Sequence, residues 1–132
     1  MRLLLDTHYL FWMVSNPGLI GARERSVMNR PEHELLASPI SFMELRIKWQ
    51  ALNREGLRKS DVHPTQVLRY IERNPIALVD LTAADCATGL DVPLAHRDPF
   101  DEMLLIHAQI LGARLLTRDH ALVDHPLAYR FA

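Results

Sequence analysis

Four short apolar runs constrain what this chain can become: Arg2-Leu3-Leu4-Leu5, Leu35-Leu36-Ala37, Ile76-Ala77-Leu78-Val79 and Ala113-Arg114-Leu115-Leu116. Each is too short for a helix and suits a buried strand. Helical patterns lie between them. Thr65 to Arg73 puts Val67, Leu68 and Ile71 on one stripe, with Pro64 at its start. Phe100 to Leu111 carries Phe100, Met103, Leu104, Ala108 and Leu111 at helical spacing, and Gly112 stands where a C-terminal cap belongs. Thr82-Ala83-Ala84-Asp85 opens another helix with a capping-box pattern. Strands alternating with helices predict an α/β chain with a mainly parallel sheet. Tyr129 and Phe131 suggest a last edge strand. Breaks are expected at Asn16-Pro17-Gly18, from Arg54 to Pro64 and from Leu90 to Pro99.

A chain of 132 residues with 48% hydrophobic and 23% charged residues makes one domain, 1–132, with a core that needs no staple. The single cysteine, Cys86, allows no internal disulfide and suits a reducing compartment; its apolar helical surroundings predict a small core residue. The apolar start is interrupted by Asp6, Thr7 and His8, unlike a signal peptide, and no apolar run approaches the ~18 residues of a membrane span. A cytoplasmic protein without membrane contact is expected. The formal net charge of −1 excludes a general nucleic-acid coat, so any contact with nucleic acid must be local.

In an open parallel sheet, ligands bind where the strands end, near the point where strand order reverses. Asp6 follows the first run. Ser38, Ser41 and Glu44 follow the second. Asp119 follows the fourth, after Thr117 and Arg118, and Asp101 opens the helix leading into it. Four carboxylates gathered at one sheet edge repel unless a cation neutralises them. Oxygen ligands without a matching Cys or His set favour Mg²⁺ or Mn²⁺.

Each acid also has a purely structural reading. Asp6 with Thr7 suits a helix start. Ser41-Phe42-Met43-Glu44 reads as a capping box, with Ser41 at the cap. Asp98-Pro99-Phe100-Asp101 fits a cap followed by the first helical turn, so Asp98 is the better cap and Asp101 the better cluster member. Asp119 suits a turn. His96 reads as a loop residue and His107 as a helix-surface or core residue. Phe11, Trp12, Phe42 and Trp49 read as packing groups. No zinc spacing, nucleophile elbow or Gly-rich phosphate loop is present. Arg46, Lys48, Arg54, Arg58 and Lys59, against the one acid Glu55, form either a solvated face or a set of phosphate contacts.

The strings Leu3-Leu4-Leu5-Asp6-Thr7-His8, Ser38 to Lys48, His96-Arg97-Asp98-Pro99-Phe100-Asp101 and Leu115-Leu116-Thr117-Arg118-Asp119 resemble, in order and over the whole chain, PIN-domain proteins. The resemblance is closest to the VapC-type toxins of toxin–antitoxin pairs. It implies a three-layer α/β/α sandwich and a Mg²⁺- or Mn²⁺-dependent endoribonuclease. The family's acidic pocket maps onto Asp6, Glu44, Asp101 and Asp119, with Asp6, Asp101 and Asp119 on the metal and Asp98, Thr7 and Thr117 in support. It further implies a homodimer, inhibition by a cognate VapB-like antitoxin, and structured RNA substrates, tRNA among them. Glu102 departs from the pattern by adding a negative charge beside the pocket. Two other readings compete: a non-catalytic PIN-fold RNA-binding protein, and a phospho-receiver-like signalling domain, for which neither Lys48 nor Lys59 follows a strand.

Overall fold

The computed structural model describes residues 1–131. Its four strands are β1 (Arg2–Leu5), β2 (Glu34–Ala37), β3 (Ile76–Leu78) and β4 (Arg114–Leu116). All pair in parallel, in the order β3-β2-β1-β4. Successive side chains of a strand point to opposite faces, and both faces here are apolar. Leu3, Leu5 and Ala37 enter one core; Leu4, Leu36 and Leu115 enter the other. That is why the strands read as continuous apolar runs rather than alternating ones.

Helices cover both faces. On the first face lie α1 (Thr7–Ser15), α2 (Ala22–Met28), α3 (Pro39–Gln50) and α4 (Pro64–Glu72), through Tyr9, Leu10, Val27, Leu45, Val67 and Ile71. On the second lies α6 (Pro99–Leu111), through Leu104, Leu105 and Ala108. A single helical turn, α5 (Ala83–Cys86), follows β3. The chain is thus an α/β/α sandwich around a parallel sheet. Among the described residues no helix is long and apolar enough to cross a membrane.

Local chemistry sets the helix ends. The Asp98 carboxylate accepts from the backbone N–H of Phe100 (2.9 Å) and of Asp101 (3.3 Å), with Pro99 at the first helical position. Gly112 closes α6 at φ 62°, a left-handed conformation that suits glycine. The Thr82 box forms as expected: Asp85 N–H donates to Thr82 Oγ1 (3.0 Å) and Thr82 N–H to the Asp85 carboxylate (2.9 Å).

Three expectations change. The Ser41–Glu44 capping box does not form. Pro39 starts α3 earlier, Ser38 is its cap, accepting from Ile40 N–H at 3.2 Å, and Ser41 lies within the helix. Cys86 is exposed, because α5 is too short to present a buried face. The expected C-terminal strand is a single parallel bridge between Ala128 and Leu115, with Leu115 N–H donating to Leu127 O and Tyr129 N–H to Leu115 O, both at 2.8 Å. It covers the outer edge of β4.

Candidate functional site

Strand order reverses between β1 and β4, and their carboxyl ends are in register, Leu5 beside Leu116. The next residues of each strand therefore meet. Asp6 N–H donates to Leu116 O at 3.0 Å. The Thr117 hydroxyl donates to Asp6 Oδ2 at 2.6 Å. Asp6 occupies the cap position of α1, yet its side chain makes no cap hydrogen bond. Its carboxylate is turned to Thr117 instead, which rules out the simple capping role. Thr117 Oγ1 also accepts from Asp119 N–H at 3.1 Å. One buried hydroxyl thus ties both acids of this edge together. Asp119 Oδ1 accepts from Ala121 N–H at 2.9 Å, so this acid also shapes the turn it stands in.

Glu44 arrives from α3. The Thr7 hydroxyl oxygen lies 2.6 Å from Glu44 Oε1 and 2.8 Å from Ser41 Oγ. Thr7 has one proton to give, and an ionised carboxylate can only accept. When Glu44 is ionised, Thr7 donates to it and accepts from Ser41. Asp101 lies one turn into α6, buried, with His96 Nε2 donating to its Oδ2 at 2.9 Å. Asp98, exposed, uses Oδ1 for the cap, as its position in the sequence suggests.

The acids perturb one another. Burial raises the pKa of Asp6, against the lowering effect of the Thr117 hydrogen bond, and the negative charge of Asp119 adds to the rise. Burial pushes Glu44 up to about 7, opposed by Thr7 and reinforced by Asp6, Asp101 and Asp98. Asp101 is raised in the same way, by burial first, with His96 opposing and Asp98, Asp6 and Asp119 adding to it. Carboxylates that each feel their neighbours' charge form one electrostatic unit. Among the described residues no Lys or Arg pairs with these acids, and His96 is their one basic partner.

A divalent cation fits this donor set in a particular way. Oxygen donors in mutual repulsion suit Mg²⁺ or Mn²⁺. Among the described residues, however, no group of three or more His, Cys, Asp or Glu side chains is arranged to hold a metal directly. Mg²⁺ commonly keeps several of its waters and meets only one or two carboxylates directly, so it does not require a closed cage.

A cavity of about 270 Å³ adjoins Glu44, the one acid that lines it, together with Thr7, His8, Phe11, Lys48 and Phe100. Of the expected phosphate contacts, only Lys48 lines it. Arg46, two residues from Glu44, stands on the opposite side of α3 and bonds Gln50 at 3.2 Å. Arg58 lies 4.0 Å over the Trp49 ring and donates to Trp49 O at 2.8 Å, tying the loop back onto α3. Arg54 and Lys59 are exposed and away from the cavity lining.

Sequence reasoning missed three contributors. His96 reads as loop, although its place five residues before Asp101 in one polar string was a usable signal. Ser41, read as a cap, supports Thr7. Arg118, flanked by Thr117 and Asp119, pairs with buried Glu24 at 3.2 Å and lies 4.1 Å over the Trp12 ring, contacts between elements distant in sequence that no local pattern announces.

The family model described as PIN domain matches residues 3–126. Among solved structures, the crystal structure of VapBC2 from Rickettsia felis bound to a DNA fragment from their promoter is similar in fold. Its TM-score is 0.62 at 17% identity, covering 97% of this chain and 96% of that one. No curated protein sequence matches significantly.

Proposed function

This chain belongs to the PIN-domain family, and from that premise we propose that it is a metal-dependent endoribonuclease, the toxin of a toxin–antitoxin pair acting in the cytoplasm. The observation that carries the reading is the Thr117–Asp6 hydrogen bond at the β1/β4 reversal. It aims a buried carboxylate at its acidic neighbours where a capping bond would be the simpler use of that residue.

Asp6, Asp101 and Asp119 would hold Mg²⁺ or Mn²⁺, partly through water, and Glu44 would bind the ion or orient a water. When bound, such an ion supplies an activated water and offsets charge building on phosphate oxygens. The protein's own work is positioning. Thr117 favours the ionised form of Asp6 by donating to it and fixes Asp119 through its backbone. Thr7, supported by Ser41, does the same for Glu44. His96 holds Asp101, and Asp98 anchors the helix that carries it. Lys48, which lines the cavity, would meet a substrate phosphate. The likeness to a VapBC complex supports a VapB-like antitoxin as partner, and a homodimer as the working form is proposed with it.

Incubation of the purified protein with structured RNA, tRNA included, tests this. Cleavage in Mg²⁺ that stops with chelator and in Asp6→Asn is expected. Binding of RNA without any cleavage would favour the non-catalytic reading.

A further inference from the structure

The loop between α5 and α6 carries His96 to Asp101, and little of its own holds it in place. No residue from 89 to 97 is fully buried. Among the described residues, none of these makes a backbone–backbone hydrogen bond. Irregular backbone that keeps one path needs other partners, and side chains supply them. Gln109 of α6 spends both ends of its amide on the loop, accepting from Asp91 N–H at 2.9 Å and donating to Gly89 O at 3.1 Å. His125 reaches across from the segment after β4 and places Nε2 2.7 Å from Val92 O.

His125 is fitted for this one outward contact. It is buried, its backbone N–H donates to Leu122 O, and its carbonyl accepts from Ala128 N–H, both at 3.0 Å. Leu127 N–H donates to its Nδ1 at 3.1 Å. A backbone N–H only donates and a carbonyl only accepts, so Nδ1 is bare and the ring proton is on Nε2. Every polar atom of the residue is then used, and only the Nε2 bond leaves its own segment. Val92 is 46% exposed, so the bond brings little apolar burial with it; what it fixes is the path of the chain. Pro93 follows, fixing its own φ and confining Val92 to extended backbone. The constraint therefore passes stiffly to Leu94, which packs on the core beneath α6, and from there to His96. The segment that carries His125 begins at Asp119, so the bond ties the turn of one acid to the loop that serves another.

We propose that His125 is a positioning residue of the acidic edge: by holding Val92 O it sets the loop so that His96 meets Asp101. This role rests on the reading of that edge as the seat of a divalent ion, and it adds what keeps one of the carboxylates aimed.

The tests use the full chain without RNA, and Mn²⁺ as the probe. In the parent, the ¹⁵N shifts of the His125 ring should be those of the Nε2–H form; the Nδ1–H form overturns the proposal. His125→Asn keeps an acceptor for Leu127 N–H but is too short to reach Val92. It should speed amide hydrogen exchange over residues 89–97 and shift the His96 ring N–H signal. It should also weaken Mn²⁺ binding, read by calorimetry, about tenfold, as expected when a group that orients a metal ligand is lost. His125→Gln, long enough to present an amide N–H to Val92 O, should recover most of these losses. In a His96→Ala background, His125→Asn should weaken Mn²⁺ binding no further. Three further results overturn the role: a parent-like His96 signal in His125→Asn, or a parent-like Mn²⁺ affinity where the parent binds the ion, which mark a part in the fold alone; equal losses in the Asn and Gln variants; or a full second loss on top of His96→Ala. The metal reading fails separately. If the parent binds no Mn²⁺ while the His96 signal still moves in His125→Asn, the positioning stands and the ion site does not.

Discussion

Thr117→Val removes one hydroxyl from the centre of the site and leaves its shape nearly unchanged. Thr117 is 1% exposed, donates to the Asp6 carboxylate at 2.6 Å and accepts from Asp119 N–H. A hydrogen bond to a charged group contributes about 1.5–3 kcal/mol, and the loss here leaves a buried carboxylate short of a partner. A destabilisation of about 2 kcal/mol follows, which for a domain of this length lowers Tm by about 4–8 °C. The sign with pH is fixed by Asp6. Thr117 stabilises the ionised form, so the loss is complete above the folded pKa of Asp6 and shrinks in acid, where Asp6 is protonated in both variants. Thr117→Ser keeps the bond and should lose only the contribution of one methyl group, about 1 kcal/mol. RNA cleavage by Thr117→Val should fall by tenfold or more, because Asp6 is both less ionised and less fixed. Calorimetry of metal-free protein at neutral and acid pH reads the effect. A Thr117→Val midpoint equal to that of the parent at neutral pH would show that the Thr117 hydroxyl does not support the Asp6 carboxylate.

Other outcomes follow from the same geometry. Asp6→Asn, Asp101→Asn and Asp119→Asn should each abolish cleavage with the far-UV spectrum intact, and should raise or preserve Tm in chelator by removing mutual repulsion. Asp98→Asn should be milder than Asp101→Asn in a cleavage assay, since Asn caps a helix nearly as well as Asp; the reverse order would exchange the two roles. In metal-free protein, Glu44 has a folded pKa of about 7 against an ordinary value of 4.5. The unfolded chain therefore ionises first, and stability should fall as pH rises from about 4.5 to about 7, by about 1 kcal/mol after allowance for solvent screening. Urea titrations across that range should show Glu44→Gln to be flatter than the parent.

The strands and α6 are legible because their signals are local: apolar runs buried on both faces, a Pro at the first helical position and a Gly just past the last. The acids are legible as a set because parallel strands bring their carboxyl ends to one edge whatever lies between. Roles within the set are less so. Ser41 and Glu44 satisfy a capping pattern that Pro39 pre-empts by starting the helix at Ser38. Cys86 sits in an apolar stretch that forms only one exposed turn. Arg46 and Lys48 look equivalent in sequence, yet helical geometry turns Lys48 to the cavity and Arg46 away. The pairs Thr117–Asp6 and Arg118–Glu24 join residues 111 and 94 positions apart, and only the register of β1 with β4 and the docking of α2 create them.

The proposed activity is cleavage of RNA at this acidic edge with a divalent ion and water. End-group mapping of the products tests it most directly, with end-labelled RNA cut by the purified protein in Mg²⁺ or Mn²⁺, in chelator and with Asp6→Asn. Attack by water predicts metal-dependent products without a 2′,3′-cyclic phosphate, absent from the chelator and Asp6→Asn lanes. Cyclic-phosphate ends that persist in chelator and in Asp6→Asn would mean that the RNA's own 2′-hydroxyl is the nucleophile, and would contradict attack by metal-activated water.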